Sequence, residues 1–185
     1  EQEISEAVRA AKSASSKDLA ILKCTSTYPA LPTNTNLQTI QDMRSKFKCE
    51  VGLSDHTKGI GVSLAAISFG ATIIEKHFTL DRADGGVDSE FSLEPDELKS
   101  LVIESQSAWQ AIGNIHYGCT NDETNSLKFR RSIFVTEDLR AGDIFTKNNI
   151  KRIRPGYGLK PKFYEEIIGK KARKNIKKGT PLDWN

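Results

Sequence analysis

Cysteine is scarce in this 185-residue chain and odd in number: Cys24, Cys49 and Cys119, with no C-x-x-C pair. That excludes a disulfide framework and a zinc knuckle, and predicts three reduced thiols. Long hydrophobic runs are missing too. No apolar stretch approaches the roughly 20 residues of a spanning helix, and Glu1–Ser16 is charged and amphipathic where a signal peptide would be apolar. These absences predict a cytoplasmic protein with no membrane partner. Charge of one sign is also in short supply, the net being +3, while 37% of residues are hydrophobic and 28% charged. A disordered chain shows the opposite balance. Aromatics make up only 8% and are not interleaved with the basic run Lys170–Lys174 or with Lys177 and Lys178. A base-stacking platform needs that interleaving, so these charges read as a solvated face and nucleic acid is not an expected partner.

What is present is an uneven distribution of charge. Residues 126–185 hold 16 basic and 6 acidic side chains, against 11 basic and 18 acidic before them. Two differently composed domains follow. Gly113–Asn125, rich in Gly, Asn, Thr and Asp without apolar periodicity, reads as the connection. The expected division is a first domain at 1–112, a linker at 113–128 and a second domain at 129–185.

In the first domain strand and helix alternate. Ile4, Ala7, Val8 and Ala11 share a helical face in a helix over Gln2–Ser15 that Ser16-Lys17-Asp18 ends. Leu19–Cys24 is an apolar run of the length expected for a strand buried on both faces. Helix over Leu37–Phe47, strand over Cys49–Ser54, helix over Ile60–Phe69 and strand over Ala71–His77 follow, and Pro95 opens a long helix through Ile112. Units of about 30 residues with helical crossovers imply an α/β fold with parallel strands. A closed eight-stranded βα barrel needs about 250 residues, so if this is barrel material its three strands are the final part of one. The second domain reads as a compact β-rich module, with strands over Ser132–Val135 and Ile150–Ile153 and Gly turns at Gly142 and Gly179. Glu137–Asp143 and Arg173–Thr180 echo one another, each ending in such a turn.

Two histidines occupy equivalent places, His56 just past the second strand and His77 at the end of the third. Catalytic groups of βα barrels project from the C-terminal ends of strands, and adjacent strands bring two imidazoles within reach of one divalent cation. A lone histidine more often only hydrogen-bonds a loop; the pairing favours a metal site. Alternation sends Glu75 to the face of His77, where an ionised carboxylate shares the mouth of the barrel with the proposed ligands. Thr25, Ser26, Thr27 and Tyr28 cluster at the first strand end, and Ser54 and Asp55 at the second. The acidic loop Asp81–Glu90, with its Gly85-Gly86 pair, has the length of an active-site wall but neither a dinucleotide fingerprint nor a P-loop. Arg154, in a Pro/Gly loop, presents a donor fork suited to an anion or a sugar oxygen. On residues alone, a non-catalytic carbohydrate- or anion-binding module stays open beside an enzyme.

The words Lys23–Pro29, Gly52–Thr57 and Glu75–Phe78, in this order and spacing, resemble the sialic acid synthase family. Arg154-Pro155-Gly156 with the basic tail resembles that family's C-terminal antifreeze-like (SAF, β-clip) domain. Phe78–Arg82, Gly85–Leu93 and Gly158–Tyr164 are most similar to its pseudaminic acid branch. The resemblance implies the C-terminal βα units of a TIM-type barrel followed by the SAF domain. It implies condensation of phosphoenolpyruvate with an N-acetylated amino-sugar aldehyde, with release of phosphate. The acceptor would be 2,4-diacetamido-2,4,6-trideoxy-altrose, or N-acetylmannosamine in the neuraminate branch. A divalent metal, Mn or Mg, would be held by His56 and His77. Ser26, Tyr28 and Ser54 would bind substrate, and Glu75 and Asp88 would face the sugar or position the attacking water. Arg154 would reach the acceptor in the partner subunit of a homodimer. The family's first barrel strands should precede Glu1, so the resemblance predicts that this chain alone lacks catalysis.

Overall fold

The alternating apolar and amphipathic stretches emerge, in a computed structural model describing residues 1–14 and 18–185, as parallel strands joined by helices. Helix α1 (Gln2–Ser13) turns Val8 inward; Ser16 and Lys17 of its expected stop lie outside the described residues. Strand β1 (Ala20–Cys24) is followed by α2 (Gln38–Phe47), whose Ile40, Met43 and Phe47 recur at helical spacing and are buried. Lys48, left-handed at φ 51°, ends α2 and lets the chain enter β2 (Glu50–Asp55). Then come α3 (Gly61–Ser68), β3 (Ile74–Lys76) and α4 (Pro95–Ile112). A reciprocal capping box between Glu94 and Glu97 opens α4, with Pro95 at its first turn.

The sheet runs β1-β2-β3, all parallel, with Cys24 opposite Ser54 and Ser54 opposite Glu75. Alternation divides β2 cleanly. Val51 and Leu53 pack with Val8, Ile40, Met43, Phe47 and Ala66 on the helix side. Gly52 and Ser54 face the other way. A Cβ on Gly52 would stand 2.4 Å from the Ile73 carbonyl oxygen and 2.5 Å from Leu22 Cδ2, so only glycine lets the flanking strands close over that position.

Three sequence expectations change here. Strand β1 is not buried on both faces: none of its residues is fully buried, because it pairs on one side only and among the described residues nothing covers the face opposite the helices. Strand β3 is only three residues long, although Thr72 and Ile73 already hydrogen-bond Val51 and Leu53 ahead of it. A further strand-like step, unforeseen in the sequence, lies beside β3. Leu93, fully buried, forms a parallel bridge with Phe78, donating to the His77 carbonyl at 2.8 Å and accepting from Thr79 at 2.9 Å.

The chain divides into two compact units, Glu1–Ile115 and His116–Asn185. A 3-10 turn over Thr124–Phe129 precedes β4 (Ser132–Val135), which pairs antiparallel with β5 (Ile150–Ile153). On the other edge of β4, Ile133 N donates to the Leu159 carbonyl and Val135 N to the Thr180 carbonyl, while the Ile133 and Val135 carbonyls accept from Leu182 N and Gly179 N. All four residues of β4 are buried. Ile133, Val135, Ile150, Leu182 and Phe145 form the core with Tyr164 and Ile167 of the one-turn helix α5 (Tyr164–Ile167). The two echoing segments pair with each other: Leu139 and Ile176 exchange two backbone hydrogen bonds of 2.8 Å. Gly142 and Gly179 take the positive φ values, 97° and 84°, that their turns require.

Candidate metal and substrate site

Parallel strands deliver their C-terminal ends to one edge of the sheet, and there His56 and His77 meet with ring centroids 5.1 Å apart. His56 follows β2 directly and is buried; His77 follows β3 and is half-buried. The Nδ1 of His56 lies 3.0 Å from the Thr25 carbonyl oxygen. A carbonyl only accepts, so Nδ1 carries a proton and, in the neutral ring, the lone pair is on Nε2. The Nδ1 of His77 lies 3.4 Å from Asp88 Oδ2, which favours the same tautomer. Neither Nε2 has a hydrogen-bond partner among the described residues. Metal-binding imidazoles show this arrangement, one nitrogen held by a carbonyl or carboxylate and the other free to coordinate. No group of three or more His, Cys, Asp and Glu is arranged to hold a metal among the described residues. The pair offers two unpartnered imidazole nitrogens among the described residues.

Two rings frame the pair. Tyr28 packs on His56 with centroids 4.3 Å apart and planes tilted by 36°, and Phe91, buried, lies 5.1 Å from His77 and 6.2 Å from His56. The Ala30 N–H donating to the His56 carbonyl at 2.9 Å ties the Tyr28 loop to the end of β2. The loop carrying Asp88 and Phe91 is tied down by Arg82. Its guanidinium bonds the Ser92 carbonyl at 3.0 Å, Glu94 at 3.2 Å and Glu97, while its backbone N–H reaches Glu94 at 2.9 Å. The acidic loop is thus a braced wall beside the two histidines.

Ser54 is buried on the open face of the sheet, in one row with Cys24 and Glu75. Glu75 is exposed there with no hydrogen bond among the described residues, and the carboxylate beside His77 is Asp88. Ser26 is exposed beyond β1, its Oγ 3.7 Å from Cys24 Sγ. Arg154 belongs to the second unit and is exposed. Its loop is pinned from β4: Ser132 Oγ, on a fully buried residue, donates to the Pro155 carbonyl at 2.7 Å and accepts from Gly158 N at 3.0 Å. A Cβ on Gly156 would come within 2.8 Å of the Leu127 carbonyl oxygen, so the loop sits tight on the preceding turn.

Two features escaped the sequence reading. Phe91 carried no sign of its role beyond being an aromatic within an acidic loop. Asp55 was seen only as a polar group at a strand end, yet it is buried against Lys76 and accepts from Ser63 Oγ, Thr57 N and Thr57 Oγ1. Burial works to raise its pKa. The hydrogen bonds from Ser63 and Thr57, with the Lys76 charge, outweigh that and hold the carboxyl below its ordinary value.

Residues 1–117 match the NeuB family model and residues 130–185 the SAF domain model. The chain is 41% identical over 182 residues to a pseudaminic acid synthase of Campylobacter jejuni, covering 98% of this chain and 53% of that one. To an N,N'-diacetyllegionaminic acid synthase of the same organism it is 41% identical over 162 residues, with 87% and 48% covered. Among solved structures, the N-acetylneuraminic acid (sialic acid) synthetase of Leptospira borgpetersenii, in complex with citrate, aligns with a TM-score of 0.62 at 39% identity. That alignment covers 70% of this chain and 45% of that one. The spore coat polysaccharide biosynthesis protein SpsE of Bacillus subtilis aligns with a TM-score of 0.57 at 32% identity over 99% of this chain and 57% of that one. The chain spans about half the length of the curated relatives it matches.

Proposed function

The chain belongs to the NeuB family, with a SAF domain behind its final TIM-type βα units, and on that premise we propose that it carries half of a nonulosonic acid synthase's active site. The reaction is condensation of phosphoenolpyruvate with an N-acetylated amino-sugar aldehyde, with loss of phosphate. Kinship with pseudaminic acid synthases supports 2,4-diacetamido-2,4,6-trideoxy-altrose as the acceptor. A phosphoenolpyruvate donor sets the reaction in the cytoplasm; among the described residues no helix is long and apolar enough to cross a membrane.

The observation that carries this reading is the pair of imidazoles at adjacent strand ends, each with Nδ1 engaged and Nε2 free. His56 and His77 would hold a divalent cation, Mn or Mg, through those nitrogens. When bound, the cation supplies Lewis-acid polarisation of the acceptor aldehyde. The Thr25 carbonyl and Asp88 keep both rings in the binding tautomer, so Asp88 acts first on His77 and through it on the sugar. Tyr28 and Phe91 wall the site beside the two imidazoles. Ser54 and Ser26 offer hydroxyl donors to phosphoenolpyruvate, and Glu75, ionised on the open face, accepts from sugar hydroxyls or holds the attacking water. Arg154, on its pinned loop, offers a donor fork to the acceptor of a partner subunit in a homodimer.

The test is phosphate release from phosphoenolpyruvate with Mn(II), measured on this chain joined behind the preceding βα units of a pseudaminic acid synthase. Release with the altrose derivative, weak release with N-acetylmannosamine, and loss of release in His56→Ala and His77→Ala are expected. Undiminished release in both histidine variants would refute the metal site. A folded chimaera that binds sugar without turnover would favour a binding module.

A further inference from the structure

Asp55 and Lys76 each stand immediately before one of the two histidines. Neighbours on a strand point to opposite faces, so the alternation that turns His56 and His77 to the open side turns Asp55 and Lys76 toward the helices. They are register partners on β2 and β3, and their side chains meet: Lys76 Nζ is 3.1 Å from Asp55 Oδ2, with the two side chains 2% and 0% exposed. Asp55 is fully used. Its Oδ1 accepts from Thr57 N at 2.9 Å and Thr57 Oγ1 at 2.8 Å, and its Oδ2 also accepts from Ser63 Oγ of α3 at 2.6 Å. Lys76 has a second acceptor, the Thr57 carbonyl, at 2.6 Å. One ammonium therefore binds the residue before His56 and the residue after it, from the residue before His77.

A buried ion pair is a poor device for stability, because the cost of desolvating both charges rivals their attraction and apolar replacements are often as stable. It is a good device for register. We infer that Asp55 and Lys76 are positioning residues that fix the distance and orientation of the His56 and His77 rings. The inference rests on reading those rings as a metal site. The tolerance of such a site explains the need: ligand distances must hold to about 0.2 Å, and two ligands on separate strands drift apart if the strands slide. Hydrogen bonds of the β2–β3 ladder fix register in residue steps. The Lys76 ammonium, gripping both sides of His56, fixes the fine adjustment.

The double variant Asp55→Asn/Lys76→Met removes both charges together, so neither is left buried and unpaired. Two readouts on the 185-residue chain decide the matter: long-range proton–nitrogen NMR spectra of the imidazoles, and Mn(II) affinity from the electron paramagnetic resonance signal of the free ion. In the native chain each ring should show a single tautomer with the proton on Nδ1. In the double variant, with methyl signals of Ile40 and Leu53 at native positions, the His56 and His77 signals should broaden or move toward mixed tautomers. Affinity for Mn(II) should fall roughly 10- to 100-fold, as for loss of other groups behind metal ligands. Native ring signals together with native affinity would overturn the inference. If the native chain binds no Mn(II) while the ring signals still change, the positioning role stands and the metal reading falls. Should the double variant not fold, Ser63→Ala removes only the α3 bond to Oδ2; it should disturb the His56 signals and weaken Mn(II) by a smaller factor, and native values of both would again overturn the inference.

Discussion

The two units finish their sheets differently. In the second, β4 is paired along both edges and buried throughout, and the Arg154 loop hangs from backbone and hydroxyl bonds to that closed core. In the first, only the central strand is well buried. Among the described residues strand β1 keeps one free edge and one face of the sheet has no cover, and Leu98, Val102, Trp109 and Ile112 lie exposed along α4. The uncovered face is the one bearing Cys24, Ser54 and Glu75, with the two histidines at its edge. The difference lies in closure: the second unit's sheet is enclosed by its own backbone and apolar contacts, while in the first the helix side is packed and, among the described residues, the face bearing Cys24, Ser54 and Glu75 has no cover.

The largest effect that could break this comparison comes from matched truncations. Ile133→Ala, in the fully buried strand, should cost the second unit about 2–5 kcal/mol. Ile21→Ala, in half-buried β1, should cost the first unit about 1 kcal/mol, since much of that side chain already meets solvent. Hydrogen exchange at the amides of Val135 and Leu53 reads the two units separately. Equal losses would mean that β1 is as enclosed as β4.

Much of this contrast is legible in the sequence, and what is not has a physical reason. Strands Ser132–Val135 and Ile150–Ile153 and helix Pro95–Ile112 stand where patterning sets them, because apolar blocks, capping residues and turn glycines are local signals. The exposure of β1 is not local: a short, largely apolar run such as Leu19–Cys24 reads the same with or without a sheet against its second face. Leu93 is invisible as a strand partner because its pairing is a single bridge next to Phe78. At the site, strand-end placement suggests that His56 and His77 meet, and they do. The Asp55–Lys76 pair needs the register of β2 against β3, which patterning does not supply. The visible hint is that an acid and a base precede the two histidines at matching positions.

A smaller effect sharpens the comparison at the tethers. The first unit's site wall depends on side chains: Glu94 caps α4 and also holds the backbone and guanidinium of Arg82. Replacing Glu94 by Ala should cost about 1 kcal/mol, the usual worth of a helix cap. It should also release the loop that carries Asp88 and Phe91. Faster exchange of amides in the first turn of α4, with a change in the His77 ring signal, is the expected record. A change in α4 alone would show that Arg82 is held well enough by Ser92 and Glu97.

The smallest effect concerns a polar tether in the second unit. Asp138, on one of the echoing segments, accepts from Lys178 N at 2.8 Å and from Lys177 Nζ at 3.1 Å on the other. The backbone bond from Lys178 leads, the Lys177 bond adds to it, and together they hold the carboxyl below its ordinary value against a small opposing effect of burial. A carboxyl whose pKa is lower folded than unfolded contributes stability that is complete above the unfolded value and lost as pH falls through the folded one. The loss therefore begins near pH 4, where an ordinary aspartate takes up its proton, and finishes below it. Asp138→Asn keeps an acceptor for Lys178 N and removes only the charge. Thermal unfolding should show the native chain slightly more stable than the variant at neutral pH, with the gap closing in acid and narrowing in high salt, because the pair is exposed and screened. A gap that stays constant from pH 7 to pH 3 would show that shape, not charge, joins the two segments. The join between the two segments would then rest on uncharged contacts, the Leu139–Ile176 backbone pair and Asn175 Oδ1 accepting from Ala141 N, and the contrast with the charge-braced first unit would sharpen.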